Sequence, residues 1–455
     1  MEWFKIRVKY ITHLYEIAAK MSSLPYIPVP VFDTREDVID QYKDVYANER
    51  PHDVIHQWLT HCFSKTKTAL PTCAVKDYQH ALNFLYSYRG SKDTFDVYRR
   101  DVERLVQWSW FVRQQSFLEH KREDIEAFVE FCLKPPKRWI STKNVSRFKK
   151  VNGEKVPNPE WRLFDVSLSK KEYQEGLIPD KNRYKFSQSA LKGMFSVLSS
   201  FYNYLLQEQV AMMNPVALMR QKSKFLQKEV KTQQIRRLTN QQWDTVIQIA
   251  KNKAIQNPSH ERTVFILSCL YGMYLRISEL VASTRWTPTM GDFFKDSEGH
   301  WWFKTVGKGN KARQIAVSDS LLNALQHYRQ TYLKLSPLPV LNEKTPLISH
   351  LRNNNKSITN DNAIRNLVQE CFNEAADYLA SQGKQEEAHG LRIATVHWLR
   401  HTGISEDVKL RPREHVRDDA GHSSGAITDK YIDVELRERA KSALNKVIDA
   451  SENVQ

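Results

Sequence analysis

The chain has 455 residues, and its 68 Lys and Arg against 52 Asp and Glu leave a formal charge of +16 in a sequence that is 41% hydrophobic and 11% aromatic. Two or three domains with that apolar content exclude a miniature disulfide scaffold and a disordered basic tail, and the five scattered cysteines, with no C-x-x-C pair, argue against a disulfide framework or a structural zinc site. The positive excess favours a polyanionic partner, because the summed field concentrates phosphates whether they belong to nucleic acid or to an anionic membrane.

Residues 1–75 hold clustered aromatics, a Pro-rich turn at 27–31 and an expected helix over 37–46, but no interpretable motif. Their first nine residues interrupt the apolar positions with charge, so no secretory signal is expected. From Thr94 the positions Tyr98, Val102, Leu105, Val106 and Ser109 recur at helical steps, with Arg99, Arg100, Glu103 and Arg104 off the stripe. A short helix over 124–133 follows, then a stronger one (Leu191, Met194, Phe195, Leu198, Phe201, Tyr202, Leu205) capped by Ser187 and closed by Asn214-Pro215. Two basic runs interrupt this plan. Residues 134–150 hold seven Lys/Arg and no acid, and 220–237 hold seven with the single acid Glu229. Each reads either as a solvated loop or as a segment tracking a phosphate backbone.

A new domain opens at Thr239-Asn240-Gln241-Gln242, a capping box ahead of Trp243, Val246 and Ile247. The longest uncharged apolar stretch, 263–275, has 13 residues where about 20 are needed to cross a bilayer, so it predicts a buried helix and no membrane partner. Residues 301–306 and 312–317 flank a Gly-rich turn and predict a hairpin. Helices are expected near 318–335, 359–380 and 395–407, with a last one from Val434. The fold class is therefore mainly α with a small antiparallel β-sheet.

Taken singly, the polar residues of this half are weak signals. Arg276 with Glu279 could be a structural pair, Lys308 a solvated turn residue, and His401 a satisfied core histidine. His397 and Arg400, three apart on one helix, share a face, and Gly421-His422 precedes Tyr431 by nine residues.

In order, L-R276-I-S-E279-L, G-K308-G-N-K, H397-x-L-R400-H401-T and G-H422-S-S followed by T-x-x-Y431 resemble the active site of the tyrosine recombinase, or phage integrase, family. The resemblance is close over 239–440 and looser over 91–215. It departs from the usual pattern in the 32-position separation of Arg276 and Lys308, in what looks like an insertion at about 134–185, and in Ala420 before Gly421-His422.

The resemblance implies Tyr431 as nucleophile, Arg276 and Arg400 as forks on the scissile phosphate, and Lys308 as general acid. It also implies His397 as proton shuttle, His422 as a phosphoryl hydrogen-bond donor, and Glu279 and His401 as supporting residues. It implies an accessory segment (1–75), a helical core-type DNA-binding domain (76–220), a basic linker (221–237) and a catalytic domain (238–455), closing as a C-shaped clamp. The apolar stripe over 434–448 is either packed on its own domain or docked on an adjacent protomer. Expected phosphate contacts are Arg99, Arg100, Lys137, Arg138, Lys143, Arg147, Lys222, Lys224, Lys228, Lys231, Arg236, Arg237, Lys311 and Arg313. The implied partner is double-stranded DNA carrying recombination sites, bound by a homotetramer, with arm-site DNA or an accessory protein for residues 1–75. No metal and no cofactor are expected, and the implied location is the cytoplasm, on the nucleoid of a bacterium or mobile-element host. The rival readings are a type IB topoisomerase and a non-catalytic DNA-binding protein.

Overall fold

Ser187 ends an extended segment, and its Oγ accepts from the Ala190 amide at 3.1 Å, which starts a helix over Gln188–Gln207. Thr239 and Gln242 do the same reciprocally, with Gln242 Oε1 taking the Thr239 amide at 2.9 Å and Thr239 Oγ1 the Gln242 amide at 3.2 Å. The computed structural model describes residues 26–431, except 67, 222–224, 227–235, 285, 308, 352, 423 and 430, together with 443–444. It divides into two units, Met1–Val230 and Lys231–Gln455, and is mainly helical with small sheets.

In the first unit, α1 (Arg35–Ala47), α2 (Pro51–Phe63), α3 (Ala74–Ser87), α4 (Lys92–Trp108), α5 (Arg122–Leu133), α6 (Lys170–Gln174), α7 (Gln188–Gln207) and α8 (Pro215–Gln221) follow one another. Between α5 and α6, β1 (Ile140–Ser141) pairs in parallel with β4 (Phe164–Asp165), and β2 (Phe148–Val151) pairs antiparallel with β3 (Glu154–Pro157). Residues 26–75 share the core of this unit, where Phe32, Ile55 and Leu59 pack with Tyr78, Val102, Phe128 and Phe201.

Helix α4 buries the expected stripe of Val102, Leu105 and Val106, but it also buries Glu103 and Arg104, which lie off that stripe. The reason is that other segments cover its polar side. Glu103 accepts from the Val31 amide at 2.7 Å and from Arg147, while Arg104 pairs with Asp101 at 2.9 Å and lies over the Phe164 ring. Buried charges persist when they are paired and hydrogen-bonded. The first basic run is thus partly internal, with Trp139 fully buried and Arg147 donating to the Phe32 carbonyl at 2.8 Å.

In the second unit, α9 (Asn240–Gln256) and α10 (Glu261–Gly272) precede the one-turn α11 (Ile277–Leu280). A three-stranded antiparallel sheet follows, ordered β5 (Phe293–Lys295), β6 (Trp301–Val306), β7 (Ala312–Ala316). The segment between α11 and β6 supplies an edge strand, with Phe293 opposite Phe303. After α12 (Asp319–His327) and the hairpin β8 (Ser349–His350) and β9 (Asn353–Ser357) come α13 (Asp361–Ser381), α14 (Gln385–Ile393), α15 (Val396–Leu410), α16 (Arg413–Ala420) and α17 (Gly425–Asp429). The main core joins Phe265, Leu267, Phe303, Ile315, Phe372 and Leu399. A small satellite of Tyr274, Ile404, Val416, Ala420 and Tyr431 ties the end of the described chain to α15 and α16. The tail helix expected from Val434 lies outside the described residues apart from Ala443 and Leu444. Among the described residues no helix is long and apolar enough to cross a membrane, and the five cysteines are free.

Helices α10 and α15 touch backbone to backbone at Gly403, where an added Cβ would stand 2.0 Å from the Tyr271 carbonyl oxygen. A carbonyl cannot swing aside as a side-chain tip can. Gly403→Ala is expected to lower stability by about 1–3 kcal/mol, although alanine favours helices intrinsically. A urea midpoint equal to or above that of the unaltered protein, with unchanged m, contradicts this.

Candidate active site

Arg276, Arg313, His397, Arg400, His401, His422 and Tyr431 line one depression of about 570 Å³ in the second unit, with Gly307 and Lys311 at its edge. Two of these arginines, Arg276 and Arg313, belong to an ion cluster centred on Glu279, which is almost fully buried. Arg276 caps α11, giving its amide to Glu279 Oε2 at 2.8 Å and its Nη1 to Oε1 at 3.1 Å. Arg313, from β7, donates both Nη atoms to the same carboxylate at 2.8 Å each. Burial alone would raise the Glu279 pKa, but the hydrogen bonds and charge of Arg313, with the Arg276 amide and charge, hold it below the ordinary value. The turn before Lys308 rests on this cluster. A Cβ on Gly307 would meet Glu279 Oε1 at 2.9 Å and Arg313 Nη1 at 3.0 Å.

Arg400 is 3% exposed and donates to the Tyr274 carbonyl and, at 2.6 Å, to the Ala420 carbonyl. Both acceptors stand where the backbone turns sharply. Tyr274 is left-handed (φ 52) just past α10, and its phenol is held by Asp407 and by Arg411 at 3.1 Å. Gly421 closes α16 at φ 64, with its Cα side against the Arg313 chain, so a Cβ there would be both strained and crowded. Asp419 joins the two arginine systems, because its carbonyl takes Arg313 Nε at 2.9 Å and its carboxylate takes Arg411 at 2.6 Å. Burial, then Arg276 and Arg313, push the Arg400 pKa down to about 9, which still leaves it a cation at neutral pH.

The three histidines are kept neutral. Burial is the largest cause for each, and the arginine field adds to it. His401 is pushed down to about 3 and His422 to about 4, while His397 is lowered by burial, Arg400 and Arg276. His422 Nδ1 is 2.8 Å from Thr428 Oγ1, and its ring stacks on Tyr431 at 5.7 Å. Tyr431 is raised by burial against the lowering pull of Arg400 and Arg276. Its Oη lies 2.5 Å from His401 Nδ1. His397, expected as the shuttle, sits one helical turn back with its ring 4.3 Å from that of His401. The histidine on the phenol is therefore the one expected to have a supporting role.

Among the expected phosphate contacts, Arg313 belongs to the Glu279 cluster, Arg147 to the buried Glu103 pair, and Arg99 donates to the Asp33 carbonyl and pairs with Asp96 at 2.8 Å. Arg100 and Lys143 are exposed but paired, with Asp101 at 3.2 Å and Glu160 at 2.9 Å. Arg237 lies 3.7 Å from Glu406. Lys137, Arg236 and Lys311 are exposed, and Arg138 is half-buried. Lys222, Lys224, Lys228, Lys231 and the catalytic candidate Lys308 lie outside the described residues. Tyr274, Asp407 and Asp419 carried no sequence signal, since each acts through partners distant in the chain.

A curated relative, the tyrosine recombinase XerC of Chlorobaculum parvum (strain DSM 263 / NCIMB 8327), is 25% identical over 203 residues, 43% of this chain and 54% of its own. The chain thus spans about half the length of that relative. No family model matches the chain. Solved structures similar to it include the XerH site-specific recombinase bound to palindromic difH substrate, 13% identical, covering 91% of this chain and 98% of its own at a TM-score of 0.45. A lambda integrase dimer bound to a COC′ core site is 12% identical, covering 81% and 97% at 0.46, and a Tn1549 transposon integrase in complex with a circular intermediate DNA is 12% identical, covering 81% and 98% at 0.45. The chain is thus similar in sequence to the tyrosine recombinase XerC, and it carries arginine, histidine and tyrosine motifs like those of that family in the same order.

Proposed function

We propose that this chain is a site-specific DNA recombinase or integrase that cuts and rejoins DNA through a 3′-phosphotyrosine on Tyr431, without ATP or metal. One observation carries the reading: a buried phenol shares a depression with two guanidiniums, Arg276 and Arg400, each oriented by partners on its other side. Attack of Tyr431 on a phosphodiester builds charge on the non-bridging oxygens, and planar forks fixed beforehand stabilise that charge without reorganising. Glu279 orients Arg276, and the carbonyls of Tyr274 and Ala420 orient Arg400. His422 donates to the phosphoryl group. The phosphotyrosine bond keeps the energy of the broken linkage, so a free 5′-hydroxyl can reverse the step.

The departing 5′-oxygen needs a proton, and Lys308 is the proposed source. The contact of Gly307 with the Glu279 cluster supports a turn that begins at the site. Lys308→Ala is expected to cleave ordinary DNA slowly and to regain most of its rate when sulfur replaces the bridging 5′-oxygen, because a thiolate leaves without a proton. An equal single-turnover defect on both substrates removes Lys308 from the acid role.

The proposal extends to a homotetramer exchanging strands through a Holliday junction, to a DNA-clasping first unit, to a docking tail at 434–455, and to DNA or protein contacts for residues 1–75. On DNA carrying two copies of the site that the protein selects from a randomised pool, the purified protein should form a covalent adduct at Tyr431 and give reciprocal products with no ATP or divalent metal. Relaxation of any supercoiled plasmid without strand exchange supports a type IB topoisomerase instead. Binding with no adduct supports a non-catalytic DNA-binding protein.

A further inference from the structure

The phenol of Tyr431 is mostly protonated at neutral pH, so its proton must leave as the oxygen attacks phosphorus. The hydrogen bond that meets this oxygen comes from His401, whose Nδ1 is 2.5 Å away, on the helix turn after His397. Because the raised phenol keeps its proton, Oη is the donor, and Nδ1 is the lone-pair nitrogen of a neutral ring whose N–H is on Nε2. His397 meets His401 ring edge to ring face rather than meeting the phenol.

Resting on the strand-cleavage reading above, we propose that His401 is the catalytic base that takes the Tyr431 proton, and that His397 serves the phosphate side of the site. The step balances simply. The Tyr431 proton passes to His401 Nδ1, the Oη–P bond forms, the P–O5′ bond breaks, and O5′ takes its proton from the general acid. On religation His401 returns its proton to Oη.

Burial, joined by His397, Arg400 and His422, makes His401 a weak base. A bound phosphodiester brings negative charge beside Arg400 and Arg276 and offsets much of their field. The proton affinity of His401 therefore rises when substrate arrives.

The test is single-turnover adduct formation at saturating protein on a nicked duplex carrying the selected site, from pH 5 to 9, with and without added imidazoles of graded basicity. His401→Ala is expected to slow adduct formation by about 10²–10⁴-fold, the range of general-base contributions. Imidazoles should restore part of that rate, more strongly as the free base becomes more basic. His401→Asn keeps a hydrogen-bond acceptor but cannot take a proton, so it should remain slow with an unchanged melting temperature. His397→Ala should show no such dependence on imidazole basicity. Wild-type rates from His401→Ala or His401→Asn, or graded rescue of His397→Ala alone, overturn the assignment. If the unaltered protein forms no adduct at all, the strand-cleavage reading itself falls, and the assignment with it.

Discussion

Tyr431→Phe is expected to fold, bind DNA and form no covalent adduct. The proposed nucleophile is one oxygen atom, and the substitution removes that atom alone. The ring keeps its stack on His422 and its place in the small cluster with Ile404, Val416 and Ala420. His401 loses a partner, which costs about 0.5–1.5 kcal/mol, the usual net worth of a hydrogen bond. The positive charge of the depression is untouched because the phenol is neutral, so both affinity and the slope of log affinity against log salt should match those of the unaltered protein. Tyr274, the other phenol nearby, is no substitute nucleophile, because Asp407 and Arg411 hold its oxygen. Denaturing gels read the adduct, and salt-dependent binding reads the affinity. An undiminished adduct from the Phe variant would move the nucleophile elsewhere.

Local signals were legible where they are local. The Thr239 capping box, the Ser187 cap and the strand runs on either side of the Gly-rich turn each depend on residues within a few positions, and each appears in the structure. Apolar periodicity found the buried face of α4 but missed Glu103 and Arg104. A periodicity describes one helix, whereas their burial is caused by Val31 and Phe164, which lie far away in sequence.

The same limit governs the site. The ordered motifs nominated Arg276, His397, Arg400, His422 and Tyr431, and the structure gathers them into one depression. Their supports were hidden. Arg313 read as one more basic residue beside a turn, yet it holds Glu279 from 34 positions away and the Asp419 carbonyl from 106. His401 read as support because a lone histidine is usually a satisfied structural group, while its place one helical turn after His397 brings its ring onto the Tyr431 oxygen.

Glu279→Ala should be the most destabilising single change in the site, lowering stability by roughly 3–5 kcal/mol, the usual result of removing one member of a buried ion pair. Arg313 would keep its charge in a position only 9% exposed at the side chain and lose both of its Nη partners. Arg276, whose charge already helps to lower the Arg400 pKa, would then repel Arg400 with no carboxylate between them. Glu279→Gln separates the charge from the volume. It keeps the side-chain shape and should recover the packing, but not the stability at neutral pH. The pH dependence has a fixed sign. Glu279 ionises more readily folded than unfolded, so its contribution is fully present above the unfolded carboxylate range near pH 4.3 and is lost as pH falls through the lower folded value. The stability gap between the unaltered protein and Glu279→Gln should therefore be widest near pH 7 and narrow below pH about 4. Urea midpoints of the two proteins across that range measure it, and the absence of any gap at pH 7 would mean that shape, not charge, is what Glu279 supplies to the arginines.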